Sequence, residues 1–297
     1  MATLRELKGR IGSVASSEKI TGAMKMISSA KMHKAEGALR RLVPFRSLIN
    51  DIIANLLSSD ATFASPLVAA RHVRHATIIV WGSDDGLCGA YNANIAKQLA
   101  NYVAELRKEL DDSATITIVP IGRKIAKACN TIAIEGATVE ETPENISSKT
   151  DGADVVAYAH SLRQSFTSGQ TDRIDIAYMS FKTAGRQRFT ATQYLPVLES
   201  NLRGSDNATA NASRPYLFEP DAAGIFDSAL PMFLMASIQQ VFTENRASEQ
   251  AARIMAMQSA NDNAKKLLEQ LQLEYNKLRQ QSITTELLDI VGGQVRD

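Results

Sequence analysis

The sequence predicts an α/β fold in which long N- and C-terminal helices form an antiparallel coiled coil beside a central Rossmann-like domain. The chain runs for sixty residues, from Met232 to Val291, without Gly or Pro. A continuous helix of that length would span about 90 Å at ~1.5 Å per residue. Residues 1–60 repeat apolar side chains at helical spacing, and residues 73–215 alternate strand-like and helical segments. We therefore expect two terminal helical segments, 1–60 and 216–297, and an α/β domain at 73–215.

Composition limits the range of functions. The 297 residues carry a net charge of +1, so no global field favours nucleic acid or an anionic membrane. The first fifty residues differ, because they contain ten Lys and Arg but only three Glu, an excess of seven positive charges. This excess fits either a solvated helix face or a basic face that meets an acidic partner.

The C-terminal helix is predicted to start at Pro231 and to stop at Gly292-Gly293. Steps of four and three predict a coiled-coil seam whose middle is small and polar, which allows close approach by a second helix. Further on, an apolar stripe resumes. The predicted seam positions are Leu234, Ile238, Val241, Asn245, Ser248, Ala252, Met255, Ser259 and Asp262, followed by Leu267, Leu271, Tyr275, Leu278, Ile283, Leu287 and Ile290.

The N-terminal segment is predicted to be the second helix of the pair. Its seam begins with Leu4, Leu7, Ile11 and Val14 and then steps to Ile20, Met24 and Ile27, which indicates a stutter. Pro44 is expected to kink this helix, and the helix is expected to end near residues 58–60.

The central segment predicts a mostly parallel sheet of the doubly wound type. Strands are expected at 76–81, 115–119, near 131–134, at 174–181 and as an edge strand at 188–198. Helices are expected at 92–110, around 123–130 and at 153–167. The polar run from Leu202 to Pro215 is expected to be a surface loop.

No catalytic, cofactor-binding or metal-binding residue is predicted. Gly82, Gly86 and Gly89 follow a strand, but their spacing matches neither GxGxxG nor a P-loop, and Asp84-Asp85 would repel a phosphate. Two cysteines and four separate histidines form no metal-ligand pattern. A Ser/His/Asp site stays open as an alternative, although no GxSxG elbow occurs.

Four ordered motifs give the chain a specific resemblance. KITGAMKM at residues 19–26, GLCG at 86–89 with Asn92, ASEQAARIMAM at 247–257 and the run from Leu271 to Glu286 resemble the signatures of F-type ATP synthase γ subunits. They lie in the family's order over almost the whole chain. Two departures are evident: Asp85 stands where the family usually has Arg, and the tail from Gln294 to Asp297 replaces an Ala-rich one.

The resemblance implies a non-catalytic rotor shaft. In this family the paired terminal helices enter a ring of α and β subunits, while the α/β domain rests with the ε subunit on the membrane c-ring. Ion flow turns the shaft, and the β sites make or hydrolyse ATP. By resemblance, Arg279, Gln280, Arg253 and Met24 are expected to contact the β subunits. No cofactor and no nucleic acid partner are expected.

Two other functions fit parts of the same pattern. A coiled-coil adaptor with an α/β head shares the paired helices, and an enzyme with a Rossmann-like core shares the central domain. Because no transit segment or signal peptide is evident before the first helical pattern, we expect a bacterial protein at the cytoplasmic face of the inner membrane.

Overall fold

The computed structural model describes residues 3–58, 63, 65–198, 202, 218–219 and 221–294, with side chains described as far as 288. The predicted loop after Leu202 and the last three residues of the tail lie outside the described residues. Helices alternate with strands in the middle of the chain, and one long helix stands at each end. The described elements are α1 (Leu4–Leu57), β1 (His75–Trp81), α2 (Tyr91–Glu109), β2 (Thr115–Ile121), α3 (Arg123–Ile132), β3 (Thr138–Val139), α4 (Gly152–Thr167), β4 (Arg173–Thr183), β5 (Arg186–Leu195) and α5 (Ala222–Gln294).

The chain divides into two compact units. The first unit comprises Met1–Ser29 and Arg253–Asp297, and the second comprises Ala30–Ala252. By sequence, α1 and α5 each contribute residues to both units. The first unit is therefore a pair of helical segments, and the second unit contains the sheet.

The sheet of the second unit has five strands in the order β3-β2-β1-β4-β5. β1 lies parallel to both β2 and β4, while β5 is antiparallel to β4. The central strand β1 reads HATIIVW, and its last four residues are fully buried, as expected where helices cover both faces of a parallel sheet. The predicted doubly wound α/β domain is confirmed.

Two hydrophobic clusters cover the two faces of this sheet. On one face, α2 and α3 pack over Ile78 and Val80 of β1. On the other face, α4, the end of α1 and the beginning of α5 pack around Trp81 and Ile79. The ring of Trp81 meets the Phe242 ring edge-on with a centroid distance of 5.5 Å, so α5 is part of the core of the second unit.

Three element predictions were wrong in detail. The expected strand near 131–134 does not form, because α3 continues to Ile132 and β3 begins only at Thr138. The long C-terminal helix starts at Ala222 rather than at Pro231, which lies inside it. It also continues past Gly292-Gly293 to Gln294. By contrast, α1 ends at Leu57, close to its predicted end near residues 58–60, and Pro44 lies inside it, where the kink stays a prediction.

One window of α5 is apolar enough in composition to cross a membrane, with a mean hydropathy of 1.3 over 18 residues. Of that window, 44% is buried inside the protein. Leu230, Leu234 and Ile238 of this helix pack into the core beside the sheet, and a core helix can be as apolar as a membrane span.

The carboxylate of Asp172, just before β4, bonds to the beginning of the neighbouring strand β1. Its Oδ2 accepts from the backbone N–H of Arg74 and His75, each at 3.0 Å, and its Oδ1 lies 3.3 Å from Nε of Arg71. Burial acts to raise the pKa of Asp172, but these donors and the guanidinium hold the pKa below its ordinary value of 3.8. A lowered carboxyl pKa stabilises the fold above the unfolded-state pKa, and this contribution is lost as the pH falls through the lowered value.

We therefore expect Asp172→Asn to reduce the free energy of unfolding by about 1–3 kcal/mol at pH 7. The difference from the wild type should shrink once the pH drops below the ordinary value of 3.8. Urea denaturation at pH 7 and at acidic pH measures both quantities. The exposed Asp112→Asn is the matched control, and a deficit at Asp172 that does not vary with pH would refute the charge-assisted role.

Candidate functional site

The N-terminal helical segment of the first unit keeps one unbroken heptad spacing. Its inward positions alternate in steps of three and four, and all of them are buried or half-buried. They are Leu4, Leu7, Ile11, Val14, Glu18, Thr21, Lys25 and Ser28. The predicted stutter was wrong, because Ile20 and Ile27 are 59% and 56% exposed while polar side chains continue the seam.

The C-terminal segment of the first unit shows a matching shift. Met257 and Asn261 are buried, whereas the predicted seam residues Met255 and Ser259 are exposed. In this stretch of α5 the buried positions therefore lie two residues later than the predicted seam positions. Leu271 is buried as predicted, and Tyr275 and Leu278 are half-buried. Leu267, Ile283 and Leu287, also predicted for the seam, are instead 42%, 49% and 57% exposed.

A polar contact fixes how these two segments pair. The side-chain amide of Asn261 donates to the carbonyl of Glu18 at 2.7 Å and lies 3.3 Å from the hydroxyl of Thr21. Gly22 stands beside it, since a Cβ there would lie 3.5 Å from the same amide nitrogen. Further along, Leu267 and Leu271 share a groove with residues 6–14 of α1, so the two segments run antiparallel. The polar seam with its glycine brings the helices close and specifies their register.

Apolar side chains on the outside of the first unit are exposed. On the N-terminal segment Met26 is 69% exposed, and on α5 Leu273 and Leu288 are 71% and 66% exposed. They alternate with charged and amide side chains, so the exposed apolar surface is scattered and does not form one continuous stripe. Such a surface can be enclosed by a partner without adhering to it over a large area.

The structure places all four predicted β-contact residues in the first unit. Arg279 and Gln280 are neighbouring exposed residues of α5. Met24 is half-buried on α1, and Arg253 has only 6% of its surface exposed. The first two are therefore accessible to a partner, while Arg253 belongs to the inward side of its helix.

The glycine-rich turn after β1 is closed by a side chain of the protein itself. The Oδ1 of Asp84 accepts from the backbone N–H of Arg123 at 3.0 Å, at the first residue of α3. Its Oδ2 accepts from the N–H and the hydroxyl of Ser148, both at 2.8 Å. The carboxylate of Asp84 thus lies at the N-terminus of α3 and joins the turn after β1 to both α3 and the segment before α4. The geometry agrees with the predicted structural turn.

Asp85, the departure from the family pattern, forms an ion pair across this turn. Its carboxylate lies 2.8 Å from the ammonium of Lys149, and both side chains are exposed. The negative charge at this position is therefore matched by a positive one in the segment before α4. An exposed pair of this kind contributes little to stability.

The same turn is joined to α5 by Asn245, which sequence analysis treated only as a seam position. The Asn245 amide donates to the carbonyl of Gly82 at 2.9 Å, and its Oδ1 accepts from the Tyr91 hydroxyl at 2.8 Å. Asn245 is 1% exposed. Its only sequence signal was an amide at a position that the spacing predicts to be buried. The long helix is thereby fixed to the sheet by buried hydrogen bonds.

The two cysteines are structural. Cys88 and Cys129 are buried thiols, and burial raises the pKa of the Cys129 thiol to about 11, so that it stays protonated at neutral pH. Among the residues that the structure describes, no group of three His, Cys, Asp or Glu could hold a metal ion.

Comparison with known proteins yields consistent matches over the whole chain. The family model described as ATP synthase matches residues 3–295. The chain is 38% identical to the ATP synthase gamma chain of Bacteroides thetaiotaomicron, covering 100% of both proteins. It is 39% identical to that of Bacteroides fragilis, covering 99% of this chain and 100% of the relative. The gamma chain of Polynucleobacter asymbioticus is 35% identical over 99% of each chain.

Solved structures show a similar fold. A chain of the Euglena gracilis mitochondrial ATP synthase, in a structure of its OSCP/F1/c-ring, gives a TM-score of 0.65 at 19% identity, covering 98% of this chain and 93% of that chain. A chain from the rotor of the same enzyme gives a TM-score of 0.62 at 17% identity, covering 94% and 98%. The central stalk and c-ring structure from Tetrahymena thermophila gives 0.53 at 20% identity, covering 81% and 99%.

Proposed function

Because the chain belongs to the family of ATP synthase gamma chains, we propose that its two terminal segments form the shaft that turns inside a ring of α and β subunits. A gamma chain is a non-catalytic subunit of ATP synthase and forms the rotor of the central stalk. ATP is made and hydrolysed at the β subunits, and rotation couples that chemistry to ion flow. The helical pair and the sheet of this chain contribute to that coupling in different ways.

The observation that carries the proposal is the antiparallel helical pair of the first unit. Its seam is held by the Asn261 contact to Glu18 at 2.7 Å, while apolar residues such as Ile20 and Leu273 stay exposed on the outside. A shaft needs this combination, because the pair must keep its own register and must also slide past a surrounding surface. A pair with all its apolar residues inside would offer the surrounding subunits few apolar side chains to contact.

We assign residues 1–60 and 216–297 to the shaft and its root, and residues 73–215 to a foot. The foot is a doubly wound sheet whose core includes α5, with Asn245 bonded to Gly82, so torque applied to the sheet reaches the long helix through buried contacts. In this assignment the foot meets the ε subunit and the membrane c-ring, and no nucleic acid takes part.

The complex to which a gamma chain belongs is membrane-associated. We further propose that this chain lies at the cytoplasmic face of a bacterial inner membrane, as a peripheral subunit. The relatives from Bacteroides and Polynucleobacter support a bacterial assembly of this kind.

The proposed contacts with the β subunits involve Arg279, Gln280, Arg253 and Met24. Arg279 and Gln280 are exposed and adjacent, so a guanidinium and an amide can together donate to carbonyl or carboxylate oxygens of a β loop. Arg253 and Met24 lie further along the pair, and we assign them to the level where β subunits press on the shaft, with the half-buried Met24 in contact and the inward-facing Arg253 supporting that surface. The basic excess of the first fifty residues suits acidic tips on those subunits.

The double variant Arg279→Ala/Gln280→Ala tests the exposed pair. We expect about a tenfold or larger loss of ion-driven ATP synthesis in reconstituted complexes, since two charge-assisted hydrogen bonds of about 1.5 kcal/mol each would be removed. Circular dichroism and thermal unfolding of the isolated chain should stay unchanged, because both side chains are exposed.

The matched control is Arg163→Ala/Gln164→Ala, an identical change on the partly exposed surface of α4. It should leave ATP synthesis at the wild-type rate. Wild-type synthesis in the Arg279/Gln280 variant, or an equal loss in both double variants, would refute the assignment of the pair to a β contact.

A further inference from the structure

A groove of about 600 Å³ lies within the second unit, between α1 and α5, and none of the four residues proposed above to contact the β subunits lines it. Its walls come from residues 31–45 of α1 and 239–250 of α5, with Gly152 at the start of α4. Fourteen steps along α1 at ~1.5 Å each make the groove about 21 Å long. This size falls within the usual range for pockets that hold small organic ligands, about 300–1,000 Å³.

The charge of the lining is one-sided. Four cationic side chains line the groove, and none of its lining residues is acidic. They are Lys31, Lys34, Arg41 and Arg246. The guanidinium of Arg246 lies 5.3 Å from the centroid of the Phe242 ring, where it flanks an apolar wall. Among the described residues, none of the four forms an ion pair within the chain.

The α1 wall of the groove changes in character along its length. On α1 the order runs from Lys31 and Lys34, through Ala35 and Ala38, to Leu42 and Phe45 beyond Arg41. Phe45 is 47% exposed, although it is a large aromatic side chain. The groove therefore has two lysines at one end, a floor of small residues, and apolar side chains beside Arg41 at the other end.

We propose that this groove binds an anionic amphiphile, meaning a molecule with a carboxylate or phosphate head group on an extended apolar body. Ammonium groups at Lys31 and Lys34 would receive the head group, and Phe45, Leu42 and Phe242 would cover the tail. A free fatty acid and a lysophospholipid both have this chemistry. A ligand bound there would contact α1 and α5 together and would hold the two helices of the second unit to each other.

The single tryptophan provides a built-in reporter. The Phe242 ring both lines the groove and contacts the Trp81 ring at 5.5 Å between centroids. A tail that moves Phe242 should therefore change the fluorescence of Trp81. Calorimetry with the full-length chain gives the affinity and stoichiometry independently of this signal.

The test uses laurate, lauroyl lysophosphatidylglycerol and dodecanol, each below the concentration at which it self-associates. We expect one site per chain for the anionic probes and binding at least about tenfold weaker for dodecanol, which has the tail without the charge. Stronger binding of laurate would identify fatty acids as the source, and stronger binding of the lysophospholipid would identify anionic lipid. Either result supports the site.

Variants then locate the binding. Lys31→Gln/Lys34→Gln should weaken the anionic probes about tenfold and leave dodecanol unchanged, while Ala38→Phe should block all three probes by filling the floor. The control is Lys124→Gln/Lys127→Gln, which removes two exposed lysines at the same spacing from α3 and should have no effect.

Three results would overturn the proposal. They are no saturable binding of any probe, equal affinity for dodecanol and laurate, and binding that survives both groove variants. A partner helix covering this groove in the assembled complex, together with no amphiphile binding by the free chain, would assign the surface to a protein contact instead. The outcome leaves the rotor assignment untouched, because that assignment rests on the first unit and on the family.

Discussion

Gly82→Ala is expected to reduce the free energy of unfolding by about 3 kcal/mol, the upper part of the range for an overpacked core. A Cβ at this position would lie 2.3 Å from the Cβ of Ile125 and 2.9 Å from the Oδ1 of Asn92. Ile125 cannot move aside by a change of rotamer, because its Cβ is fixed to the backbone of α3. The substitution should therefore displace α3 from the sheet, and thermal or urea unfolding of the purified chain measures the loss.

Gly37→Ala is the matched control for Gly82→Ala. Gly37 lies inside α1, and a Cβ there would meet nothing within 4 Å. Alanine is the better helix former, so this variant should be as stable as the wild type or more stable by up to about 1 kcal/mol. Equal stability of the two variants would show that the close approach between the turn and α3 is not required.

Asn245→Leu is expected to produce the second large effect. Leucine has a similar volume, but it removes the donor to the Gly82 carbonyl and the acceptor for the Tyr91 hydroxyl, and both groups are buried. The buried Gly82 carbonyl left without this donor costs about 1–3 kcal/mol. The Tyr91 hydroxyl keeps its 3.2 Å bond to the Asn245 backbone carbonyl but loses the shorter one, which costs about 1 kcal/mol, so a total loss of about 2–4 kcal/mol is expected. In the assembled complex, the variant should also couple less well, since α5 would be bonded less firmly to the sheet.

A double-variant cycle distinguishes these bonds from general packing. Tyr91→Phe removes the hydroxyl that donates to the Asn245 Oδ1, so Asn245→Leu/Tyr91→Phe should lose less stability than the sum of the single variants. Asn94→Leu, at an exposed position of α2, controls for the amide-to-leucine change and should be nearly neutral. Strict additivity at Asn245 and Tyr91 would contradict the hydrogen-bonded joint.

Much of the fold could be predicted from local patterns. β1, β2 and β4 are runs rich in β-forming residues and bounded by turn residues, and α2 follows the glycine-containing turn after β1. Each of these elements therefore lies within a few residues of its predicted place. The resemblance over four ordered motifs also predicted the family correctly. These features depend on nearby residues, which a sequence displays directly.

Features that depend on distant contacts were missed. The helical seam could not be extrapolated from apolar residues alone, because Glu18, Thr21 and Lys25 continue it while Ile20 and Ile27 are exposed. A polar residue at a seam is favourable only when a partner lies opposite, and the partner Asn261 is over two hundred residues away.

The GLCG turn illustrates the same limit. The spacing of its glycines already argued against a phosphate loop, but the sequence does not show that Ser148 and the N-terminus of α3 bind the carboxylate of Asp84. In the structure Leu87 and Gly89 adopt positive φ values of 63° and 61°, and Cys88 points into the core. The motif is thus a device for packing a tight turn against a helix.

Rotation of the chain inside the catalytic ring is tested most directly by following a marker on a single assembled complex. A cysteine introduced at the exposed Lys108 carries a bead or fluorophore, while the buried Cys88 and Cys129 remain unlabelled. With the ring of α and β subunits immobilised and ATP supplied, we predict stepwise rotation of the marker in one direction, which stops when ATP is withdrawn. Sustained ATP hydrolysis by the assembled complex with a stationary marker would contradict the account.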